Sequence, residues 1–334
     1  MLIGYHASHE QFAPEDLRVL AREAERAGFG AVMSSDHFKP WSELQGQSGF
    51  AWVWLGAAME ATSVPFGTLA VPGGWRYHPA IVAQAGATLA RLFPGRLAWL
   101  GLGSGEALNE SVVGQGWPPK AERNSRLEEG ARIIRALWNG ETVSSERPIP
   151  VREAHLYTRP AQPHPLLVGA ALGPETAQWL GAWADGLITV NMPREQLGEV
   201  VAAFRRGGGA GKRLILQMHL SWAPTEGEAR DLAWRNWRFN VVEPQVAENC
   251  ASPEDFEEAT RDLGPEDLEG HVIMASEPEH FVSAIVEAAD LGFDEIYLHN
   301  VGDNQRAFLA TFGEEVLPRL PQNPCDNLRE PTNV

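Results

Sequence analysis

"LIGYHASHEQFAPEDLRVLAREAERAG", Leu2 to Gly28, is the stretch on which the architecture turns. It begins with a short apolar run, "LIGYHAS", of the length and composition of one buried strand. The segment after it sets Leu17, Leu20, Ala21, Ala24 and Ala27 at helical spacing, and Gly28 closes that helix where a left-handed residue is favoured. Between strand and helix lies "HASHEQF". An open doubly wound sheet that binds a nucleotide usually carries a glycine fingerprint at this turn, and none is present. The unit is a strand followed by a helix, without the phosphate loop of the open sheet.

The same pair recurs along the chain. "AVMSSDH" is followed by "FAWVWLGAAMEAT", "PFGTLAVPG" by "HPAIVAQAGATLARLFPG", and "LAWLGLGSG" by "KAERNSRLEEGARIIRALWNG". After an interruption come "PLLVGAAL" with "PETAQWLGAWAD", "GLITVNM" with "REQLGEVVAAFRR", and "RLILQMHLSWA" with "TEGEARDLAWRNWRFN"; "DEIYLHNVG" and "NQRAFLATFGEEVLPRL" end the series. Near-continuous apolar strands that alternate with amphipathic helices predict a parallel sheet covered by helices. About eight units in a chain of this length fit a closed (β/α)8 barrel, a TIM barrel of the α/β class, better than an open sheet. One domain over residues 1–320 is expected, with insertions at 141–165 and 241–274 lying at its periphery and a frayed polar tail at 321–334. The first insertion is Pro-rich and alternating, a hairpin or lid; the second reads as short capped helices.

Composition narrows the function classes. A formal net charge of −17 leaves no cationic surplus to neutralise phosphates, which argues against nucleic acid as a partner. No run approaches the ~18 apolar residues of a membrane helix, and the start has neither a basic region nor an apolar core of a signal peptide. Cys250 and Cys325 make no disulfide framework and no metal-ligand spacing, so no metal is expected. The cytoplasm is the expected compartment, and a homodimer the expected assembly.

In a barrel, chemistry gathers where strands end and the following loops begin. That rule brings "SSDHFKPW", Ser34 to Trp41, to the mouth behind the second strand, with Asp36, His37 and Trp41 in it. It also brings "GLGSGEALNE", with Glu106 and Asn109, and "GAALGPET", with Ala170, Ala171, Gly173 and Thr176. Each has a plainer explanation. Asp36 alone would cap a turn, a strand-end His is often only hydrogen-bonded filler, Glu106 suits a helix start, and "GPET" is a good helix N-terminus. Convergence favours a site: an imidazole, carboxylates, an indole and a free helix N-terminus fall at one end of one barrel.

"SDHFKPW", "GSGEALNE", "RYHPAIVAQAGATL", "FPGR" and "ASEPEHF" together resemble the luciferase-like monooxygenase superfamily, in the branch of the coenzyme F420-dependent glucose-6-phosphate dehydrogenases. The resemblance spans about Leu2 to Leu320. It implies a flavin or deazaflavin at the mouth, His37 as catalytic base or acid, Glu106 as the second acid/base group and Trp41 packed over the reacting centre. Asp36, Leu69, Ala70, Asn109, Ala170, Ala171, Gly173 and Thr176 would contact the cofactor, with a non-prolyl cis peptide near Leu69–Ala70. The departures bear on substrate and cofactor. Pro193 and His271 stand where that branch holds a substrate phosphate with cations, and no lysine matches the remaining position, so glucose 6-phosphate is not the expected substrate. Leu172 replaces a glycine of the cofactor phosphate loop and Glu175 sits at its helix start, which points to the sister group using an ordinary flavin. FMN is therefore the first expectation and F420 the alternative. The activity expected is hydride transfer or flavin-mediated monooxygenation on a small non-phosphorylated organic substrate; a flavin-storing barrel without catalysis is the competing reading.

Overall fold

The computed structural model describes residues 1–72 and 76–321. Eight strands are parallel and closed into a barrel: β1 Leu2–Ala7, β2 Ala31–Ser34, β3 Phe66–Pro72, β4 Leu97–Gly103, β5 Leu166–Ala170, β6 Gly186–Val190, β7 Arg213–Trp222 and β8 Glu295–Asn300. Neighbours in the chain are neighbours in the barrel, and β8 closes it against β1 in the register Leu2 to Glu295 through Tyr5 to Leu298. Every strand foreseen from the alternation is present. The expected tail beyond residue 321 lies outside the described residues.

The first helix illustrates why the outer layer forms. Pro14 opens it, Glu15 and Asp16 place negative charge at its positive end, and Leu17, Leu20, Ala21 and Ala24 are buried against the barrel. Gly28, at φ 101, ends it and donates its N–H to the carbonyls of Ala24 and Glu25. A side chain at that φ would be strained.

Inside the barrel, side chains alternate inward and outward along each strand. Ala31, Met33, Trp99, Val168, Ile188, Ile215 and Tyr297 form the inward cluster. Its bulk is Trp99 against Tyr297, with ring centroids 5.6 Å apart and the indole N–H donating to the Tyr297 hydroxyl at 3.2 Å. Room for Trp99 exists because Gly67 faces it from β3, where a Cβ would stand 2.1 Å from the ring. This layer plugs the barrel and makes the floor of the mouth above it.

The insertion at 141–165 contains the antiparallel pair Val143–Ser145 and Val151–Ala154, a hairpin as expected. The insertion at 241–274 contains the short helices Pro244–Ala247, Pro253–Ala259 and Pro265–Leu268. It is not peripheral. The Ala107 N–H donates to the Glu248 carbonyl, Lys39 Nζ donates to the Ala251 carbonyl at 2.9 Å, and Cys250 and Phe256 pack with Leu108 and Trp41. The segment therefore walls the mouth where the β2 and β4 loops stand. Its apolar residues had no partner nearer in sequence, which is why the pattern alone left it outside.

Candidate active site

His37 leaves the end of β2 and turns inward, where it is 8% exposed. Its Nδ1 lies 2.9 Å from Glu10 Oε1. Glu10 stands in the loop after β1, fully buried, and its Oε2 accepts from the hydroxyls of Ser8 and Ser35 at 2.8 Å each. Burial alone would push Glu10 up, but the charge of His37 and these hydrogen bonds hold it well below the usual carboxylate range. The reverse holds for His37: burial pushes it down, and the charges of Glu10 and Glu106 more than offset this, so it ends above its ordinary value. With Nδ1 committed to Glu10, Nε2 is the position left for proton exchange.

Trp41 packs between His37, at 5.2 Å between ring centroids, and Trp237, at 5.0 Å, with Phe256 behind it. Glu106 precedes the short helix Ala107–Glu110, and its Oε2 is shut off from solvent. Burial raises the pKa of Glu106, with His37 and the nearby Trp41 indole acting against that rise. Trp41 Nε1 nevertheless closes no hydrogen bond of proper geometry, and neither does Glu106 Oε2. Among the described residues these two buried atoms, like His37 Nδ1 and Glu10 Oε1 despite their 2.9 Å ion pair, lack a well-formed hydrogen bond, which suits a place built for something else to bind.

Asp36 is differently used. It is 1% exposed, and its Oδ2 accepts from Arg76 Nη2 at 3.1 Å while Oδ1 accepts from the Tyr77 hydroxyl at 2.9 Å. Arg76 also holds Glu110 through its backbone N–H, at 2.7 Å to Oε2. Burial raises Asp36 and Arg76 opposes the rise. Both oxygens of Asp36 thus help to lock the β2 loop to the residues after β3, and each keeps a further lone pair. Asn109 ties the same loop through Oδ1, which accepts from the N–H groups of Phe38 at 2.7 Å and Lys39 at 3.2 Å, while its Nδ2 takes no part in these bonds.

The other expected cofactor contacts lie on the opposite side. Leu69 and Ala170 pack against the inward cluster of the barrel. Gly101 and Gly103 follow Trp99 at the inward positions of β4, so this side of the mouth carries almost no side chain. Gly173 caps the helix Pro174–Trp183 without a side-chain bond, and a Cβ there would meet nothing within 4 Å. Thr176 is half-buried in its first turn, and Glu175 is exposed and so turned from the barrel. Ala171 faces the outer core instead, and its N–H donates to the Ile188 carbonyl. The side chain of Ala70 lies outside the described residues, and so does the cis peptide expected beside it.

Sequence reasoning missed a whole side of the site. His6, Gln217, His219 and His299 stand at inward positions near the ends of β1, β7 and β8, all buried. The His6 and His299 rings are 4.2 Å apart, His219 and His299 5.4 Å, and Trp237 lies 4.5 Å from His299. The rings thus run without a gap from His37 through Trp41 and Trp237 to this group. Burial lowers His6 and His219 to about 3 and holds His299 well below its usual value, so all three are neutral. A signal was present: "GYH", "QMH" and "YLH" each put a histidine at an inward position of a strand. The cations that flank the mouth in sequence are committed elsewhere, Lys39 to Ala251, Arg76 to Asp36 and Glu110, and Arg194 to the Glu287 carbonyl at 2.7 Å.

A closed parallel barrel with an acid/base pair and an indole at its C-terminal mouth defines a class of enzyme-bearing folds. The chain belongs to the luciferase-like monooxygenase family, whose sequence pattern matches residues 2–295. It is 37% identical over 327 residues to the F420-dependent glucose-6-phosphate dehydrogenase of Nakamurella multipartita, covering 95% of this chain and 96% of that one. The enzyme of the same description from Beutenbergia cavernae is 38% identical over 328 residues, with 95% and 97% covered. Among solved structures, an F420-dependent secondary alcohol dehydrogenase in complex with an F420-acetone adduct superposes with a TM-score of 0.89 at 28% identity, covering 96% of this chain and 99% of that one. These relatives favour F420, the alternative among the two cofactor expectations, and give FMN no support.

Proposed function

We propose that the protein is an F420-dependent oxidoreductase that moves a hydride between the deazaflavin and the carbinol carbon of a small uncharged alcohol, or of its carbonyl partner in reverse. The observation that carries this reading is the His37–Glu10 pair beside the unpartnered Glu106 Oε2 and Trp41 Nε1. The side-chain-poor wall of Gly101, Gly103 and Ala170 fits a flat tricyclic ring, and the uncapped N-terminus at Gly173 suits its anionic tail. Bound there, F420 would supply the acceptor for the hydride.

The protein's own residues handle the proton. In oxidation, His37 Nε2 takes the hydroxyl proton, and Glu10 steadies the imidazolium through Nδ1. The apolar faces of Trp41, Trp237 and Phe256 exclude water from that exchange. Glu106 faces the same imidazole, and burial, which raises its pKa, suits it to proton exchange in the reverse direction. Asp36, Arg76, Tyr77 and Asn109 hold the loop that carries His37.

The second reading, a sugar phosphate as substrate, is favoured by the names of the dehydrogenase relatives. Against it stand the commitments of Lys39, Arg76 and Arg194, since a buried phosphate needs fixed cations to replace its water. A steady-state assay of F420 reduction separates them. With 2-propanol as reductant we expect saturable turnover, and with glucose 6-phosphate none at millimolar levels. Saturable turnover of the phosphate would favour the second reading, and no turnover with any alcohol would favour a cofactor-storing barrel.

A further inference from the structure

The protonation of the histidine side of the mouth follows from one backbone carbonyl. Gln11 Nε2 donates to the Val301 carbonyl at 2.7 Å, so Gln11 Oε1 is free to act as an acceptor. His299 Nε2 lies 3.0 Å from that oxygen and must carry the ring hydrogen. His299 is neutral, burial holding it well below its usual value, so its Nδ1 is bare. Gln217 Nε2 lies 3.3 Å from His299 Nδ1 and 3.0 Å from His219 Nε2, and gives one amide hydrogen to each. His219 Nε2 is thereby an acceptor. Its single ring hydrogen belongs on Nδ1, an atom shut off from solvent and without a partner among the described residues. A buried N–H with no acceptor is costly to keep, and a fixed network that ends in one is a donor prepared for an oxygen from outside.

We infer that His219 Nδ1–H holds a second oxygen, hydroxyl or carbonyl, of an uncharged substrate, in addition to the oxygen that reacts at His37. His219 shares the inward face of β7 with Ile215 and Gln217, and Trp237 lies against it at 5.4 Å and continues through Trp41 to His37. His6 Nδ1, within the same group, is buried and unpartnered as well. An anionic oxygen does not suit the place: the imidazoles are neutral, and Glu10 and Glu106 bring carboxylates to the same mouth. The substrate class is therefore a diol or hydroxycarbonyl rather than a simple alcohol. This rests on the mouth being the substrate site, and deepens that reading.

Nuclear magnetic resonance of the full chain labelled with 15N in its histidine rings tests it without turnover. The ring N–H that disappears in His219→Phe is expected at Nδ1. In the wild type, 1,2-propanediol should shift it with a half-saturation about ten-fold lower than 2-propanol, which lacks the second hydroxyl. In His219→Phe, read from the remaining histidine signals, the two alcohols should become equivalent; His219→Asn serves if the phenylalanine variant does not fold. A hydrogen on His219 Nε2, equal half-saturation of the two alcohols in the wild type, or no shift with either would overturn the inference. Failure of F420 reduction in the assay above would remove the proposed reaction and leave this result standing.

Discussion

Strands β1, β7 and β8 reach the mouth in His6, Gln217, His219 and His299, whereas β4 and β5 reach it in Gly101, Gly103 and Ala170. The first side is crowded, neutral and largely hydrogen-bonded within itself, with the Nδ1 atoms of His6 and His219 left without partners among the described residues. The second offers backbone and a methyl group. A barrel whose mouth were filled symmetrically would hold neither a ring nor a substrate. Here one side gives up side chains, which under the proposed function makes room for a flat ring, and the other fills its volume with imidazoles and an amide. His37, Trp41 and Glu106 stand at the seam between the two.

The sharpest way to break this comparison is at the seam. His37→Gln keeps an amide beside Glu10 but removes the exchangeable ring nitrogen, and kcat is expected to fall by ~10²–10⁴-fold, with KM changed far less. A fall of less than about three-fold would mean that His37 only packs and that the proton leaves by another route.

A smaller effect tests the crowded side. Burial pushes His6 and His219 down to about 3, against 6.5 for the free group. Their folded values are depressed, so between those values and 6.5 the unfolded chain binds more protons. Stability is complete above pH 6.5 and is lost as pH falls through that window. Each such histidine should cost about 2 kcal/mol at pH 5 relative to neutrality, opposed in part by the raised value of His37. Thermal unfolding midpoints at pH 7 and pH 5 check this: the midpoint should drop, and drop less in His219→Phe. A midpoint independent of pH would mean that the crowded side admits water and charge.

Much of the barrel was legible because its signals are local and periodic. Eight strands could be read from apolar runs, and Gly28, Pro14 and Pro174 marked helix ends by their own chemistry. The loop after β2 was legible too, since an acid, an imidazole and an indole at a strand end have few bland uses. What escaped was pairing across the chain. Glu10 is made significant by His37 in another loop, and Asp36 is tied to Arg76 and Tyr77, partners that no local pattern pairs with it. His6, His219 and His299 each read as one polar residue in an apolar strand; only closure of β8 against β1 and β7 makes them a group. The 241–274 segment was misjudged for the same reason, its place being set by contacts with Leu108 and Trp41.

The central claim, that the bare side of the mouth is the bed of a flat deazaflavin, is tested most directly by equilibrium titration of F420 into the wild type and into Gly103→Val, read by the absorbance and fluorescence of the cofactor. Among the described residues a Cβ at Gly103 meets only Ala170 Cβ at 3.9 Å and Gly105 N at 4.0 Å, so the fold should accept the larger side chain, with an unfolding midpoint close to that of the wild type. The wild type should bind F420 saturably, and Gly103→Val should bind it at least about ten-fold more weakly, a loss of ~1.4 kcal/mol. Equal affinity in the two proteins, or tight binding of FMN with none of F420, would contradict the account.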